Sequence, residues 1–475
     1  MAASLSVARG TALTLLGHGA AAGGAFLLSV LLARSLPPDE CGRIWATIAF
    51  AMLFVPLADL GASSALQVMM ARQDGDASRL LRASVVTRAC ALVPVAALMA
   101  LMFPRTEQSA GILVVMPIAF LAAQSFVLHT DIALVGRQRP RTWALRRLVL
   151  ESCNLLAVGS LVLLVAAPTA NQVLGVQVAA VVVTAALANA AANRIARQPI
   201  VQGAAPTPFP RVLSVVTAGF PFFAWEAMQA LGQRLSTAVL PTLASDEAAA
   251  QFRVCLALSA VGLPLPRAVN QVLMPRIGRV HAKGDAEGAR RRLEAFVRIA
   301  WAVSCGLAVT MSLVGGVLVE WAYGPRYAGL GPTVAATGVA TALGMAYAPL
   351  SGAMNWTGSA WRNTACLAAG TATSLSCLLP LTRSMGTAGA AWSLAAGAAV
   401  TLACAVASVS RHHGRSACQP AAGALALACA GAAAAASLLM PADALAARTA
   451  AWAVLASVPA LQLATIARRG LSRPA

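Results

Sequence analysis

Residues Ser152–Asn193 read SCNLLAVGSLVLLVAAPTANQVLGVQVAAVVVTAALANAAAN, without one Asp, Glu, Lys or Arg. A helix crossing a bilayer needs about 20 apolar residues at ~1.5 Å rise each. This stretch is twice that length, so it holds two spans, folded back at Ala167-Pro168-Thr169-Ala170-Asn171. Hydrocarbon offers no water to backbone N–H and C=O groups, so such spans must be helices.

Further charge-free windows follow the same rule. They are Gly10–Ala33, Gln108–Thr130, Ile299–Val319, Tyr327–Trp361, Asn363–Thr382, Ser384–Ser410, Ser416–Ala442 and Thr449–Ala467. The whole chain is 59% hydrophobic and 11% charged, with mean hydropathy +0.74. A soluble domain carries about 25% charged residues. The N-terminal apolar stretch after Arg9 is longer than the ~7–15 residues of a signal-peptide core, and reads as the first span.

Fourteen spans are expected, near 12–33, 44–70, 84–103, 110–131, 148–167, 172–193, 213–241, 254–275, 299–319, 330–353, 363–381, 386–409, 421–440 and 449–467. The links are short; the longest lie around Arg276–Arg298 and Arg194–Arg211. Neither holds a soluble catalytic domain. With the N-terminus inside, 25 of the 35 basic residues fall in or beside inner segments, seven in outer segments and three within spans. That bias predicts both termini in the cytoplasm. The net charge of +19 then belongs to inner loops facing anionic headgroups, not to nucleic acid.

The chain also echoes itself at an offset of 207 residues. Asp39-Glu40 returns as Asp246-Glu247, and Arg72 as Arg279; three residues further on, Arg82 and Arg88 return as Arg292 and Arg298. The predicted fold is therefore an all-α membrane protein of about 14 transmembrane helices. Two six-helix lobes, 1–200 and 201–415, form a parallel pseudo-twofold repeat, and 416–475 adds two C-terminal helices.

Charge inside a span is costly, so each instance is a functional candidate. Asp59 lies in span 2, Glu226 and Arg234 in span 7, and Arg267 in span 8 beside Asn270 and Gln271. Under the offset, Arg267 falls one residue from the counterpart of Asp59, which predicts a polar cleft faced by both lobes. The structural alternative makes Asp59–Arg267 or Glu226–Arg234 neutralising pairs. Arg88, Asp131 and Glu151, near inner helix ends, are expected to snorkel. Gly219-Phe220-Pro221 is expected to break or bend span 7; Pro264 and Pro266 mark span 8.

Other chemistry is thinly represented. The ten cysteines sit mostly in apolar runs without a CxxC pair, and read as small hydrophobes. His129-x-Asp131 supplies two ligands near a helix end, too few for a metal site. Lys283, the only lysine, has no phosphate-loop context, and no cofactor is implied.

Several short motifs carry a family resemblance. Leu32-Ala33-Arg34-Ser35-Leu36-Pro37-Pro38-Asp39-Glu40-Cys41-Gly42 and Ala58-Asp59-Leu60-Gly61 open the first lobe. Gly219-Phe220-Pro221, Met274-Pro275-Arg276-Ile277, Tyr323-Gly324-Pro325-Arg326-Tyr327 and Gly386-Thr387-Ala388-Gly389-Ala390-Ala391 follow in order. Over residues 10–410 the chain resembles the polysaccharide-exporter (Wzx-type) branch of the multidrug/oligosaccharidyl-lipid/polysaccharide flippase superfamily. It departs from relatives at Cys41, where an aromatic is common, and at Gln233, where an acid is common.

The resemblance implies a non-enzymatic flippase in a bacterial cytoplasmic membrane. Its cargo would be an oligosaccharide on polyprenyl pyrophosphate, and its partners the polysaccharide polymerase and assembly proteins. Arg34, Arg88, Arg234 and Arg267, with Asn270 and Gln271, would bind the cargo; Asp59 or Glu226 would couple transport to an ion gradient. Competing readings are a small-molecule antiporter, which favours an acidic cavity, and a lipid II flippase. A glycan polymerase needs a large outer loop, and no outer segment is long enough.

Overall fold

The computed structural model describes residues 2–71, 77–102, 112–136, 140–165, 168–196, 212–282, 284–356 and 360–413. The two expected C-terminal spans, and the segment 416–475 that holds them, lie outside the described residues. Within them the fold is helical, with no strand. In order the helices are α1 (Ala2–Ser35), α2 (Pro38–Leu53), α3 (Val55–Asp59), α4 (Ala62–Ala71), α5 (Ala77–Met102), α6 (Ile112–Gly136) and α7 (Pro140–Leu164). Then come α8 (Ala170–Ala196), α9 (Val212–Leu243), α10 (Asp246–Ser259), α11 (Pro264–Ala282), α12 (Ala286–Tyr323), α13 (Gly331–Trp356) and α14 (Ala360–His413).

Nine of the described helical stretches are long and apolar enough to cross a membrane, or ten if the bent pair of α10 and α11 is one span. The protein is thus a multi-pass membrane protein. One of the nine, Ala360–Arg411, is 52 residues long, about two bilayers at 1.5 Å per residue. It divides at Gly386, whose backbone leaves the helical region at φ 59°, ψ −134°. A left-handed φ suits glycine because it has no Cβ to clash. α9 is 32 residues long and carries Glu226, Gln229, Gln233 and Arg234 within it.

By contact the chain divides into two compact units, Met1–Pro241 and Thr242–Ala475. In the first, α6 packs against α2, α3, α4, α5, α7 and α8, while α1 lies along α7. Its core joins Phe54, Val95, Met99, Leu121, Val127 and Val178. In the second, α13 is the central helix, flanked by α10, α11, α12 and α14. Its core runs from Met274 and Ile277 through Phe296, Trp301 and Leu343 to Leu402. Side chains on the outer faces of α5 and α7, such as Val93, Leu101, Leu156 and Leu163, are exposed and apolar, as lipid-facing positions should be.

The expected lobe boundary at residue 200 precedes α9, and the division by contact falls at Pro241, near the end of that helix. α9 is held to the first unit where its Gly219 meets Gly61. Other expectations need correction. Pro221 does not break α9, which runs continuously through both Pro221 and Pro241. The long link at Arg276–Arg298 is not a loop. α11 continues to Ala282 and α12 starts at Ala286, with Asp285 Oδ1 accepting from Gly288 N–H at 2.8 Å as its N-cap. The second span of each unit is interrupted, by an unexpected break in the first unit and, in the second, by a bend at the prolines that mark span 8. In the first unit it is α2, α3 and α4; in the second it is α10, a 3₁₀ turn at Ala260–Gly262, and α11, bent by 47°.

Candidate functional site

The break after α3 organises the polar interior of the first unit. Leu60 and Gly61 are both left-handed, at φ 51° and 69°. Two such residues in succession end α3 and turn the chain before α4 begins at Ala62. Leu60 carries a Cβ, so its conformation is held against a steric preference. The Asp59 carboxylate helps hold it: Oδ2 accepts from Ser63 N–H at 3.0 Å, and Oδ1 from the Ser63 hydroxyl at 2.7 Å. Asp59 therefore satisfies a donor at the start of α4, as an N-cap side chain does.

Arg88, on α5, completes the cluster. It forms an ion pair with Asp59 and donates to the hydroxyls of Ser84 and, at 2.5 Å, Ser63. Asp59 is 0% and Arg88 5% exposed. His129 Nδ1, on α6, lies 3.1 Å from the same Ser84 hydroxyl and is also buried. Four helices thus share one buried, charge-balanced network. Glu226 joins its edge from α9, where its Oε1 accepts from the Ser64 hydroxyl at 3.0 Å. Among the described residues no Arg or Lys forms an ion pair with Glu226.

A second buried cluster links α6 to α7. Arg146 pairs with Asp131 and donates to Thr130 Oγ1 at 2.7 Å and the Val127 carbonyl at 3.1 Å. Arg147 reaches Asp131 at 3.5 Å while its guanidinium lies 5.6 Å from the Trp143 ring centroid. Glu151 is half-buried against α1, where a Cβ on Gly24 would fall 2.7 Å from its own Cβ.

The structure thus brings together Asp59, Arg88 and Glu226 from the expected site residues. It places Arg234 two turns beyond Glu226 on α9, half-buried, and Arg34 at the exposed end of α1. Arg267, Asn270 and Gln271 share α11 in the second unit; Arg267 is exposed. Asn270 packs against α13 so closely that a Cβ on Gly352 would lie 2.3 Å from its Oδ1. The side chain of Gln271 lies outside the described residues.

The expected neutralising pairs are replaced by others. The described ion pair of Asp59 is with Arg88, and the described partner of Glu226 is Ser64. Arg88 and Asp131 do not snorkel; each is buried and paired, because a partner within reach costs less than reaching through lipid to water. Sequence reading missed Ser63, Ser64 and Ser84. Isolated serines give no signal of their own, although the Asp59-x-x-x-Ser63 spacing suits a side chain bonding to its own chain.

Interrupted spans, and charge held inside them by hydrogen bonds, define a membrane protein with irregular backbone only where protein buries it. Residues 7–281 match the family model described as "Polysaccharide biosynthesis protein", and the chain belongs to that family. Its fold is shared with solved transporters of the MOP superfamily. A lipid II flippase MurJ in an inward closed conformation matches at TM-score 0.65 and 10% identity, over 99% of this chain and 100% of its own. A MATE in complex with MaL6 matches at TM-score 0.63 and 12% identity, over 88% and 96%. The eukaryotic MATE transporter AtDTX14 matches at 0.59 and 13%, over 88% and 99%. No curated protein matches the chain in sequence.

Proposed function

We propose that this protein is a flippase of the bacterial cytoplasmic membrane, with both termini inside, that moves a polyprenyl-pyrophosphate-linked oligosaccharide to the outer leaflet. The observation that carries the reading is one chain joining two properties. It belongs to a polysaccharide biosynthesis family, and over 99% of its length it has the fold of a lipid II flippase, whose name describes a lipid-linked cargo. Transport without catalysis fits, since the described polar clusters are paired inside the bundle.

Arg34, Arg234 and Arg267, with Asn270 and Gln271, are the proposed cargo contacts. A guanidinium matches two phosphate oxygens at once, which an ammonium does not. Arg88 is already engaged by Asp59, Ser63 and Ser84. It would meet cargo only if that network opened, so we assign it first to supporting Asp59. Of the two coupling candidates, Asp59 is neutralised by Arg88, whereas Glu226 has Ser64; Glu226 is the better candidate for binding a proton or cation. The polymerase and assembly proteins of the same pathway are the proposed partners.

Deleting the gene and assaying lipid-linked glycans by leaflet tests the reading. Accumulation in the inner leaflet is expected. Unchanged surface glycan with altered drug sensitivity would instead indicate a small-molecule antiporter, and loss of lipid II translocation a peptidoglycan flippase. At residue level, Arg267→Glu should abolish export while the protein stays at normal abundance in the membrane. Full activity of that variant removes Arg267 from the site.

A further inference from the structure

α12 is longer than the hydrocarbon it crosses. Its 38 residues, Ala286–Tyr323, extend about 57 Å at 1.5 Å per residue, against ~30 Å of hydrocarbon. Exposed apolar side chains mark the part that lies in lipid. Ile299, Val317 and Trp321 are exposed, and Ile299 to Trp321 extends about 33 Å, one hydrocarbon thickness. Trp321 then stands at one interface, where tryptophan is enriched. The turns before Ile299 leave the hydrocarbon at the other interface.

Those turns carry an excess of positive charge. Residues 287–298 include four arginines, Arg290, Arg291, Arg292 and Arg298, and two acids, Glu287 and Glu294. Each acid serves two arginines. Glu287 accepts from Arg290 Nε and from Arg291 Nε, both at 2.9 Å. Glu294 lies 3.7 Å from Arg290 and 3.8 Å from Arg298. Arg292 stands outside these pairs and is exposed. The opposite face of the helix, with Leu293, Phe296, Val297 and Ala300, is buried in the core of its unit.

The exposed Ala295 is the centre of the charged face. Neighbours on a helix surface stand three and four residues apart. For Ala295 they are Arg291, Arg292, Arg298 and Ile299. A methyl-sized floor therefore has a guanidinium at three corners and an aliphatic side chain at the fourth. The aliphatic corner is the one nearer the hydrocarbon. Arg292 lies seven residues before Ile299, about 10 Å along the axis, and a long arginine stem can snorkel back over that interval.

We infer that the Ala295 face of α12 is a seat for an anionic phospholipid. Arg291, Arg292 and Arg298 hold its phosphate, and its acyl chains follow Ile299 along the lipid-facing side. A guanidinium fork suits phosphate oxygens. The pyrophosphate of a lipid-linked cargo has the same chemistry. The occupant is instead a phospholipid of the surrounding bilayer, because the aliphatic corner opens onto the exposed apolar face of α12. The seat rests on the membrane fold, not on the flippase reading; the proposed orientation decides only its leaflet.

The test uses the full chain in phosphatidylcholine nanodiscs doped with photoactivatable phosphatidylglycerol or, in parallel, photoactivatable phosphatidylcholine. Mass spectrometry maps the labelled residues. Phosphatidylglycerol should label the segment around Ala295 severalfold more than phosphatidylcholine does, while the segment around Val317 takes both equally. Arg292→Gln should lower phosphatidylglycerol labelling at Ala295 roughly fivefold, the effect of one basic residue near an anionic surface. Ala295→Trp alters no charge but fills the floor, and should lower it too. Equal labelling by the two lipids in the unsubstituted protein would overturn the seat without any variant. So would labelling that neither substitution changes. Displacement of phosphatidylglycerol by a much smaller amount of polyprenyl pyrophosphate would assign the ring to cargo instead. Protection of this segment by a bound protein in native membranes would make it a protein surface, and would overturn the seat as well. None of these measurements reads glycan export, so the seat and the flippase reading stand or fall separately.

Discussion

The second span of each unit starts alike and breaks differently. α2 carries Asp39 and Glu40 in its first turn, and α10 carries Asp246 and Glu247 in its own. Glu40 accepts from the first backbone N–H of α8, Ala170, at 2.8 Å, tying two helices of its unit. The exposed Glu247 instead accepts from Gln251, a turn along its own helix, at 3.2 Å. At the break itself, the first unit places a buried ion pair, Asp59 with Arg88, and two left-handed residues. The second unit uses a 3₁₀ turn, Pro264 at the start of α11, and one buried hydroxyl pair, Ser259 with Thr337 at 3.0 Å. The 207-residue offset sets Pro266 opposite Asp59. One break is pinned by charge and backbone strain, the other shaped by proline. A charge-pinned break fails when one partner goes, whereas proline bends the chain through its own ring.

The largest effect should come from splitting the ion pair. Arg88→Ala leaves Asp59 buried without its counter-charge, and removing one partner of a buried pair costs about 3–5 kcal/mol. Thermal unfolding of a fluorescent fusion in detergent should show a large loss, or the protein should fail to accumulate. Replacing both partners, as Asp59→Asn with Arg88→Met, should recover much of that loss. If the double variant is no more stable than Arg88→Ala, the break is not pinned by charge.

How much of this contrast can be read from the sequence follows from its causes. The helical membrane fold is legible because it rests on run length and charge exclusion, which are properties of composition along the chain. Pro264 marks the second break because proline acts locally. The first break is harder to read. Asp59-Leu60-Gly61 stands out as a motif, but a glycine does not disclose its φ, and Leu60 has no local reason to be left-handed. Pro221 signals a break or a bend, and α9 runs on through it without a break. The pairing of Asp59 with Arg88, 29 residues away, depends on how α5 returns past α3. The 207-residue echo points to Arg267, whereas the described ion pair of Asp59 is with Arg88 of its own unit. The serines were invisible because their role comes entirely from the carboxylate or guanidinium that folding places beside them.

A glycine exchange compares the same two breaks sterically. Gly61→Ala puts a Cβ on a residue at φ 69° and against backbone atoms of α9. The left-handed backbone alone costs about 1–3 kcal/mol for a residue with a Cβ. Gly262→Ala, at the second break, meets only Leu307 Cδ2 at 3.2 Å and Met345 Sδ at 3.3 Å. These are ends of flexible side chains that shift by a few tenths of an ångström, so the change should stay within about 1 kcal/mol. Unfolding temperatures measured side by side should fall for Gly61→Ala and barely move for Gly262→Ala. Equal losses would mean that both breaks are packed with the same tolerance.

The smallest effect should belong to the hydroxyl pair. Ser259 is fully buried and already bonds the Cys255 carbonyl at 2.9 Å, a turn back on α10. Thr337 likewise reaches the Val334 carbonyl at 3.1 Å. Ser259→Ala therefore removes one bond between helices without leaving Thr337 unsatisfied, because its local acceptor remains. A net intramolecular hydrogen bond contributes about 0.5–1.5 kcal/mol, and the full penalty appears only when a buried partner is stranded. The loss should stay in that range, well below that of Arg88→Ala, with α10 and α11 still meeting at their bend. Asp59 has no such fallback: without Arg88 its charge stays buried with only Ser63 donating to it. A Ser259→Ala loss as large as the Arg88→Ala loss would show that the second break depends on its polar pair as heavily as the first depends on its charges, and that proline does not shape it alone.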